Sequence, residues 1–305
     1  MNETQKLITQ IIDQTRRVIL GKERQIKLCL AAYISSSHIL IEDIPGVGKT
    51  TLAKTFAHVL GLLYSRIQFT SDLLPSDVTG VNFYNAKEAT FTFKKGPIFS
   101  QFLLADEINR ASSKTQSALL EAMEERQVSV DGASYKLATP FFVMATKNPQ
   151  EEAGTYALPS SQLDRFALCF SLGYPSKNAE REMLKSTRAP DINSLTQLTR
   201  QERELLQESY ERVHASDAIV DLAQEILAFS RESFVFKTGL SPRAALILLR
   251  TAKAWALIEG RDFVVPSDIL EVLPHVTRHR LESLGEKKSP KEIVYAITQN
   301  LHIDT

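Results

Sequence analysis

Short apolar runs and helical stripes alternate through the first half of the chain. Runs at 38–41, 102–107, 141–145 and 168–172 are nearly continuous in apolar residues and only four to six long. That length and lack of alternation predict strands buried on both faces of a parallel sheet. A fifth strand is predicted at 64–69, between turn signals. Ahead of the first strand, Leu7, Ile8, Ile11, Ile12, Thr15, Val18 and Ile19 recur at helical spacing, predicting a helix over 5–19 that breaks at Gly21. A second helix is predicted over about 23–35, a third over 51–60 closed by Gly61, and a fourth from Ser112 or Ser113 through Arg126. Two hairpins interrupt this order. One pairs 81–84 with 90–93 around Asn85-Ala86-Lys87-Glu88, and the other pairs 127–130 with 135–138 around Asp131-Gly132-Ala133-Ser134. Past Gly173-Tyr174-Pro175-Ser176 every pattern is helical. Thr199 and Glu202 form a capping box, Ser216 or Asp217 opens another helix, and Ser241-Pro242 and Pro266-Ser267-Asp268 open two more. The expectation is an α/β domain over 1–175 and a small all-helical domain over 176–305.

Chemistry gathers where the predicted strands end. Asp43-Ile44-Pro45-Gly46-Val47-Gly48-Lys49-Thr50 follows the first strand and opens a helix. That is the context a phosphate-binding loop requires. Gly46 and Gly48 can turn several N–H groups toward one oxyanion, and the helix N-terminus adds its positive dipole end. Lys49 can reach β- and γ-phosphates, and the Thr50 hydroxyl can hold Mg²⁺. Asp43 departs from the general pattern, which has glycine there. A glycine turn with a solvated lysine would produce the same residues.

The run 102–107 delivers Asp106 and Glu107 at a strand's C-terminal end, the edge where open α/β sheets bind ligands. Asp106 can hold Mg²⁺, and Glu107, beyond it, can polarise an attacking water. Asn148 ends the next strand at the same edge, where an amide can orient water, although an ordinary Asn-Pro turn reads identically. Arg165 precedes the last strand and Arg243 sits in the first turn of its helix, against the dipole preference. Each fits either an anion contact or a plain surface arginine. The turn with Val18 and Ile19 could wall an adenine ring or simply pack between helices.

Composition narrows the classes. Lys plus Arg equals Asp plus Glu at 36 each, which gives no support to bulk nucleic-acid binding. The two cysteines, Cys29 and Cys169, suggest neither a disulfide framework nor a zinc site, so a reducing cytoplasm is expected. No run is long enough for a membrane span, and Met1-Asn2-Glu3-Thr4-Gln5 does not open a secretory signal.

Six segments in order resemble the MoxR family of AAA+ ATPases over nearly the whole chain. They are the phosphate loop from Ile41 to Thr50, including its acid, then Asp72-Leu73-Leu74-Pro75-Ser76-Asp77-Val78-Thr79-Gly80 with Gly96-Pro97-Ile98-Phe99, then Asp106-Glu107-Ile108-Asn109-Arg110-Ala111. Ala145-Thr146-Lys147-Asn148-Pro149, Gln162-Leu163-Asp164-Arg165-Phe166 and Gly239-Leu240-Ser241-Pro242-Arg243-Ala244 complete the set. Ser160-Ser161 stand where that family has Glu-Ala. The resemblance implies a five-stranded parallel sheet in order 5-1-4-3-2 with a helical lid, and a homo-oligomeric ring, usually a hexamer, with ATP between subunits. It implies phosphates held by Gly46, Val47, Gly48, Lys49, Thr50 and Thr51, the base beside Val18 and Ile19, and Mg²⁺ on Thr50 and Asp106. Glu107 would activate water, Asn148 would orient it, and Arg243 would sense the γ-phosphate within the subunit. Arg165 would reach the next subunit's γ-phosphate. The implied activity is Mg²⁺-dependent ATP hydrolysis driving chaperone-like activation of a protein client, often a metalloenzyme, with a partner carrying a von Willebrand factor A domain. Two other readings stay open: a nucleic-acid-dependent motor, and a nucleotide-gated scaffold without catalysis.

Overall fold

A computed structural model describes residues 2–87, 89–149, 154–185, 191–232, 235–284 and 289–299. Two helices come first, α1 (Glu3–Arg16) and α2 (Glu23–Ile34). The Asn2 side chain caps α1 by accepting from the Gln5 amide, and Leu7, Ile8, Ile11, Ile12 and Thr15 form its buried stripe. The α/β part then runs β1 (Ile39–Glu42), α3 (Lys49–Val59), β2 (Tyr64–Gln68), α4 (Pro75–Thr79), β3 (Gly80–Asn85), β4 (Thr90–Lys95), β5 (Phe102–Asp106) and α5 (Ser113–Glu125). It continues with β6 (Gln127–Val130), β7 (Ala133–Lys136), β8 (Phe142–Lys147), α6 (Ser160–Leu163) and β9 (Leu168–Phe170). Six helices follow: α7 (Lys177–Lys185), α8 (Arg200–Glu211), α9 (Asp217–Glu232), α10 (Pro242–Ile258), α11 (Pro266–Thr277) and α12 (Pro290–Thr298).

The main sheet has the order β2-β5-β8-β1-β9, and every pairing in it is parallel. Numbered among themselves, these five strands read 5-1-4-3-2, as the family resemblance implies. Successive residues of each strand serve opposite layers. On β1, Ile39 and Ile41 join one buried cluster while Leu40 joins the other. The first cluster takes in α1, α2 and α3 and runs on through α8 to α12 without a break. The second lies under α5 and the hairpins.

Both hairpins form. The first is β3–β4, pairing Asn85 with Thr90; Glu88 of its expected turn lies outside the described residues. The second differs in register from the expected 135–138 pairing. Asp131 and Gly132 take positive φ values of 50° and 80°, so two residues close the turn and Val130 pairs with Ala133. An Asp-Gly pair in that conformation matches strand twist, which shortens the expected loop by two residues. Strand β8 also runs further than expected, through Thr146 to Lys147.

Candidate nucleotide site

The C-terminal edge of the sheet collects the phosphate loop after β1, the acids after β5 and Asn148 after β8. Gly46 and Gly48 take φ values of +83° and +93°, a region disfavoured for other residues. A Cβ built on either would meet nothing within 4 Å, so open space lies against the loop on that side. Gly48 caps α3, whose first residue is Lys49. The Lys49 ammonium donates to the Asp43 carbonyl at 2.9 Å and the Ile44 carbonyl at 2.7 Å, which holds it in the mouth of the loop. Thr50 is half-buried beside it and Thr51 is exposed. This open glycine turn at a helix N-terminus, with one held cation, fits a polyphosphate. Among the described residues no three His, Cys, Asp or Glu side chains cluster as a metal cage. Thr50 and Asp106 instead suit Mg²⁺, which keeps waters and takes further ligands from phosphates.

Asp106 is buried, and both of its carboxylate oxygens have partners, with acceptor capacity left on Oδ1. Its Oδ1 accepts from the Thr146 hydroxyl at 2.6 Å. Its Oδ2 accepts from Arg66, Nη2 at 2.7 Å and Nε at 3.2 Å. Glu107 adopts the left-handed conformation (φ 56°, ψ 48°), which costs a non-glycine residue on the order of 1 kcal/mol. The Glu107 amide donates to the same Thr146 oxygen at 2.9 Å and fixes that turn. One carboxylate oxygen, Oε2, accepts from Gln68 Nε2 at 2.7 Å and Arg110 Nη1 at 3.0 Å. Arg66 also donates to Gln68 at 2.7 Å, so the two acids are linked through β2. Asn148 is buried at the same edge, one residue past β8. Ile19 is buried in the main core and Val18 is half-buried against it.

Arg165 and Arg243 are placed elsewhere. Helix α5 starts just past the acids and, at 13 residues, reaches the opposite edge of the sheet. Arg126, next past its end, donates to the Ser36 and Phe141 carbonyls, which precede β1 and β8. Glu124, at that end, accepts from Arg165 Nε at 3.1 Å and from both terminal nitrogens of Arg243. Ser241, the cap of α10, meets Asp164 at 3.0 Å, and the Ala167 amide donates to the His38 carbonyl. Both arginines therefore lie at the N-terminal edge, about 16 Å of strand from their own phosphate loop. Arg243, expected to sense the γ-phosphate of its own subunit, sits at a helix start that is docked on the Asp164 segment. The two guanidiniums share one carboxylate, so this trio of side chains carries one net positive charge.

Thr146, Arg66, Gln68 and Glu124 were not singled out by the sequence pattern. A sign existed for two of them. Arg66 and Gln68 alternate on one side of a strand whose partner ends in acids, and β2 is an edge strand with polar residues half-buried or exposed. Thr146 is a lone hydroxyl in an apolar run, and Glu124 carries no local signal.

A parallel sheet of this order, with a phosphate loop after its first strand, two acids after a neighbouring strand and a helical lid, defines a nucleotide-binding protein of the AAA+ class. Residues 38–168 match the ATPase family associated with various cellular activities (AAA), and residues 229–297 match the AAA lid domain. The chain is 46% identical to the uncharacterized protein YeaC of Bacillus subtilis over 92% of this chain and 89% of that one. It is 39% identical to chaperone MoxR1 of Mycobacterium tuberculosis over 96% of this chain and 81% of that one. A crystal structure of a candidate ATPase from Cytophaga hutchinsonii superposes with a TM-score of 0.90 at 35% identity, over 99% of this chain and 96% of that one. The chain belongs to the MoxR family of AAA+ ATPases. Among the described residues no helix is long and apolar enough to cross a membrane.

Proposed function

We propose that the protein hydrolyses ATP with Mg²⁺ and uses the cycle to remodel or activate a protein client. The observation that carries this reading is the convergence at one sheet edge of the open loop with Lys49 and Thr50, the Asp106–Glu107 pair and Asn148. Gly46, Val47, Gly48, Lys49, Thr50 and Thr51 would hold the phosphates, with Thr50 and Asp106 toward the metal. Bound Mg²⁺ would supply charge neutralisation on the β- and γ-phosphates. Glu107 offers its Oε1 to take a proton from water, because Oε2 is already engaged by Gln68 and Arg110. Asn148 would hold that water from the neighbouring strand. Val18 would stand beside the base, with Ile19 behind it in the core.

Arg165 and Arg243 act in this reading from the adjacent subunit. Their shared place at the far edge of their own sheet supports that assignment, since a ring brings one subunit's far edge to the next one's loop. The proposed assembly is a homo-oligomeric ring, a hexamer by family resemblance, in a reducing cytoplasm, where the buried free thiols Cys29 and Cys169 are stable. The proposed lid begins near residue 176. The hairpins face the client. Phe83, Tyr84 and Phe91 are exposed on the first, Phe93 stacks on Tyr135 of the second at 4.0 Å, and Asn82 bonds Asp131 across them. The name of the Mycobacterium relative supports a chaperone role, and a von Willebrand factor A domain protein is the proposed partner. Phosphate release measured for wild type and Glu107→Gln tests the reading. Wild type should turn over, and Glu107→Gln should bind ATP yet hydrolyse it very slowly. A wild type that binds ATP without releasing phosphate would be a scaffold instead. Hydrolysis that rises steeply with DNA and falls with salt would mark a nucleic-acid motor.

A further inference from the structure

Asp43 has no part in the chemistry above, yet it occupies the first position of the phosphate loop, where the general pattern has glycine. It is buried. Its Oδ1 accepts from the Ile44 amide at 2.9 Å, and its Oδ2 accepts from the Gly173 amide at 2.7 Å, 130 residues away. Gly173 lies in the short linker that leaves β9 and enters α7. Lys22 grips the residues on either side of it. The ammonium donates to the Leu172 carbonyl at 2.6 Å and to the Tyr174 carbonyl at 2.6 Å. Three consecutive linker residues are thus held, at carbonyl, amide and carbonyl, by two side chains of opposite charge. Burial lowers the Lys22 pKa and the nearby Asp43 charge acts to raise it, so each ion supports the other in place. Gly21, one residue earlier, takes φ +69°, and a Cβ there would come within 3.2 Å of Ala179 Cβ on α7. The turn carrying Lys22 is therefore seated against the start of that helix.

We infer that Asp43 and Lys22 are positioning residues that make the linker into the helical half follow the state of the phosphate loop. The inference rests on the nucleotide reading of that loop. The connection is continuous and short. Lys49 bonds the Asp43 and Ile44 carbonyls, the Ile44 amide bonds the Asp43 carboxylate, and that carboxylate bonds Gly173. A phosphate that draws the Lys49 ammonium toward itself relieves both carbonyls and reorients the peptide between Asp43 and Ile44. The Gly173 amide feels that movement through a single side chain. Charge-assisted hydrogen bonds of this length are the strong kind, and the two Lys22 bonds keep the linker from absorbing the movement by slipping.

Hydrogen exchange of a peptide covering 172–179 tests the device, with ADP and with a slowly hydrolysed ATP analogue, alongside direct measurement of nucleotide affinity. Wild type should exchange at different rates in the two nucleotide states. Lys22→Met keeps the aliphatic stem and removes the donors. It should bind both nucleotides within about threefold of wild type while the difference between states disappears, and exchange should quicken at least about tenfold in both, since two charge-assisted bonds are lost and one alone is worth about that factor. Lys22→Arg, which keeps the donors, should restore the difference. Asp43→Asn, which keeps the shape and loses the charge, should reduce it. A wild-type difference in Lys22→Met, or its loss in Lys22→Arg as well, overturns the inference. So does a wild type that binds nucleotide and shows no difference. A wild type that binds no nucleotide overturns the reading of the loop and this inference with it.

Discussion

Arg165→Ala separates a surface arginine from an intersubunit one by magnitude. Among the described residues, the ion pair that Arg165→Ala removes is the one with Glu124, at 3.1 Å with side chains 29% and 32% exposed. Such half-exposed pairs are worth about 0–1 kcal/mol, and Glu124 keeps Arg243 as a partner. The midpoint of thermal unfolding should therefore fall by no more than about 2–4 °C. A guanidinium that stabilises charge on a transferring phosphoryl group is worth roughly 10³–10⁵ in rate, or about 4–7 kcal/mol. The catalytic loss should exceed the stability loss several-fold, and ATP affinity should be spared. Phosphate release is measured at concentrations where rings form, with nucleotide binding followed separately. Mixing supplies the decisive comparison. Lys49→Ala subunits bind no ATP but carry Arg165, so they can complete sites on Arg165→Ala subunits that do bind it. Two nearly inactive proteins should regain single-turnover hydrolysis when mixed, and only on assembly. Hydrolysis by assembled Arg165→Ala within about threefold of wild type would refute the intersubunit role and return Arg165 to a structural bridge.

Other outcomes follow from the same geometry. Thr146→Val keeps the shape of the side chain but leaves the Asp106 carboxylate short of a donor and the Glu107 amide without its acceptor, at about 1–3 kcal/mol for each buried group; urea unfolding should show the loss, and turnover should fall about 10²-fold as Glu107 shifts. His38 accepts the Val143 amide at Nδ1 and is buried, with its pKa lowered to about 3 by desolvation first and Arg126 second. The unfolded chain binds that proton near 6.5, so His38 stabilises the fold fully above that pH and progressively less as pH falls toward 3, by about 1.4 kcal/mol per unit; urea midpoints between pH 7 and 5 should fall accordingly, and His38→Gln should flatten the slope. Replacing 81–94 with a short Gly-Ser linker should leave nucleotide binding intact and abolish client remodelling; loss of folding would make the hairpin structural.

The sheet was legible because both of its faces are buried. Residues 102–105 and 142–145 had to be apolar without alternation, and that leaves little else for them to be. The edge chemistry was legible for a related reason, since a loop and two acids at strand ends must share one edge of a parallel sheet. What bonds to them was not. Arg66 and Asp106 are 40 residues apart, Glu124 and Arg243 are 119 apart, and Asp43 and Gly173 are 130 apart. Local periodicity is silent on such pairs. The docking of Arg243 on Glu124 was illegible on the same ground. Its helix start was read correctly, from Ser241 and Pro242, but the sequence does not say on which edge of the sheet that start docks. The second hairpin erred by two residues because Asp131-Gly132 alone suffices for the turn.

How the helical half joins the rest bears on what a nucleotide can move. The buried cluster that covers one face of the sheet continues through α2 into α10 and through β9 into α11, with Ile26, Leu30, Ile247, Leu248, Val272 and Val276 all in it. A half that shares a close-packed core with the sheet cannot swing on its linker without opening that core. Ion pairs reinforce the junction: the Arg280 side chain, 4% exposed, meets Asp164 at 2.6 Å, and Arg278 meets Glu42 at 3.3 Å just ahead of the phosphate loop. Nucleotide-dependent shifts within one subunit are then small, and packed elements convert small shifts into rearrangements at surfaces rather than absorbing them. The surface best placed to respond is the edge where Arg165 and Arg243 share Glu124. In the proposed ring, either arginine could leave that carboxylate for a neighbour's phosphate while the other still neutralised it. The subunit interface of that ring and the hairpins that extend from α4 and α5 would carry the motion, with the lid moving as part of the body to which its core belongs.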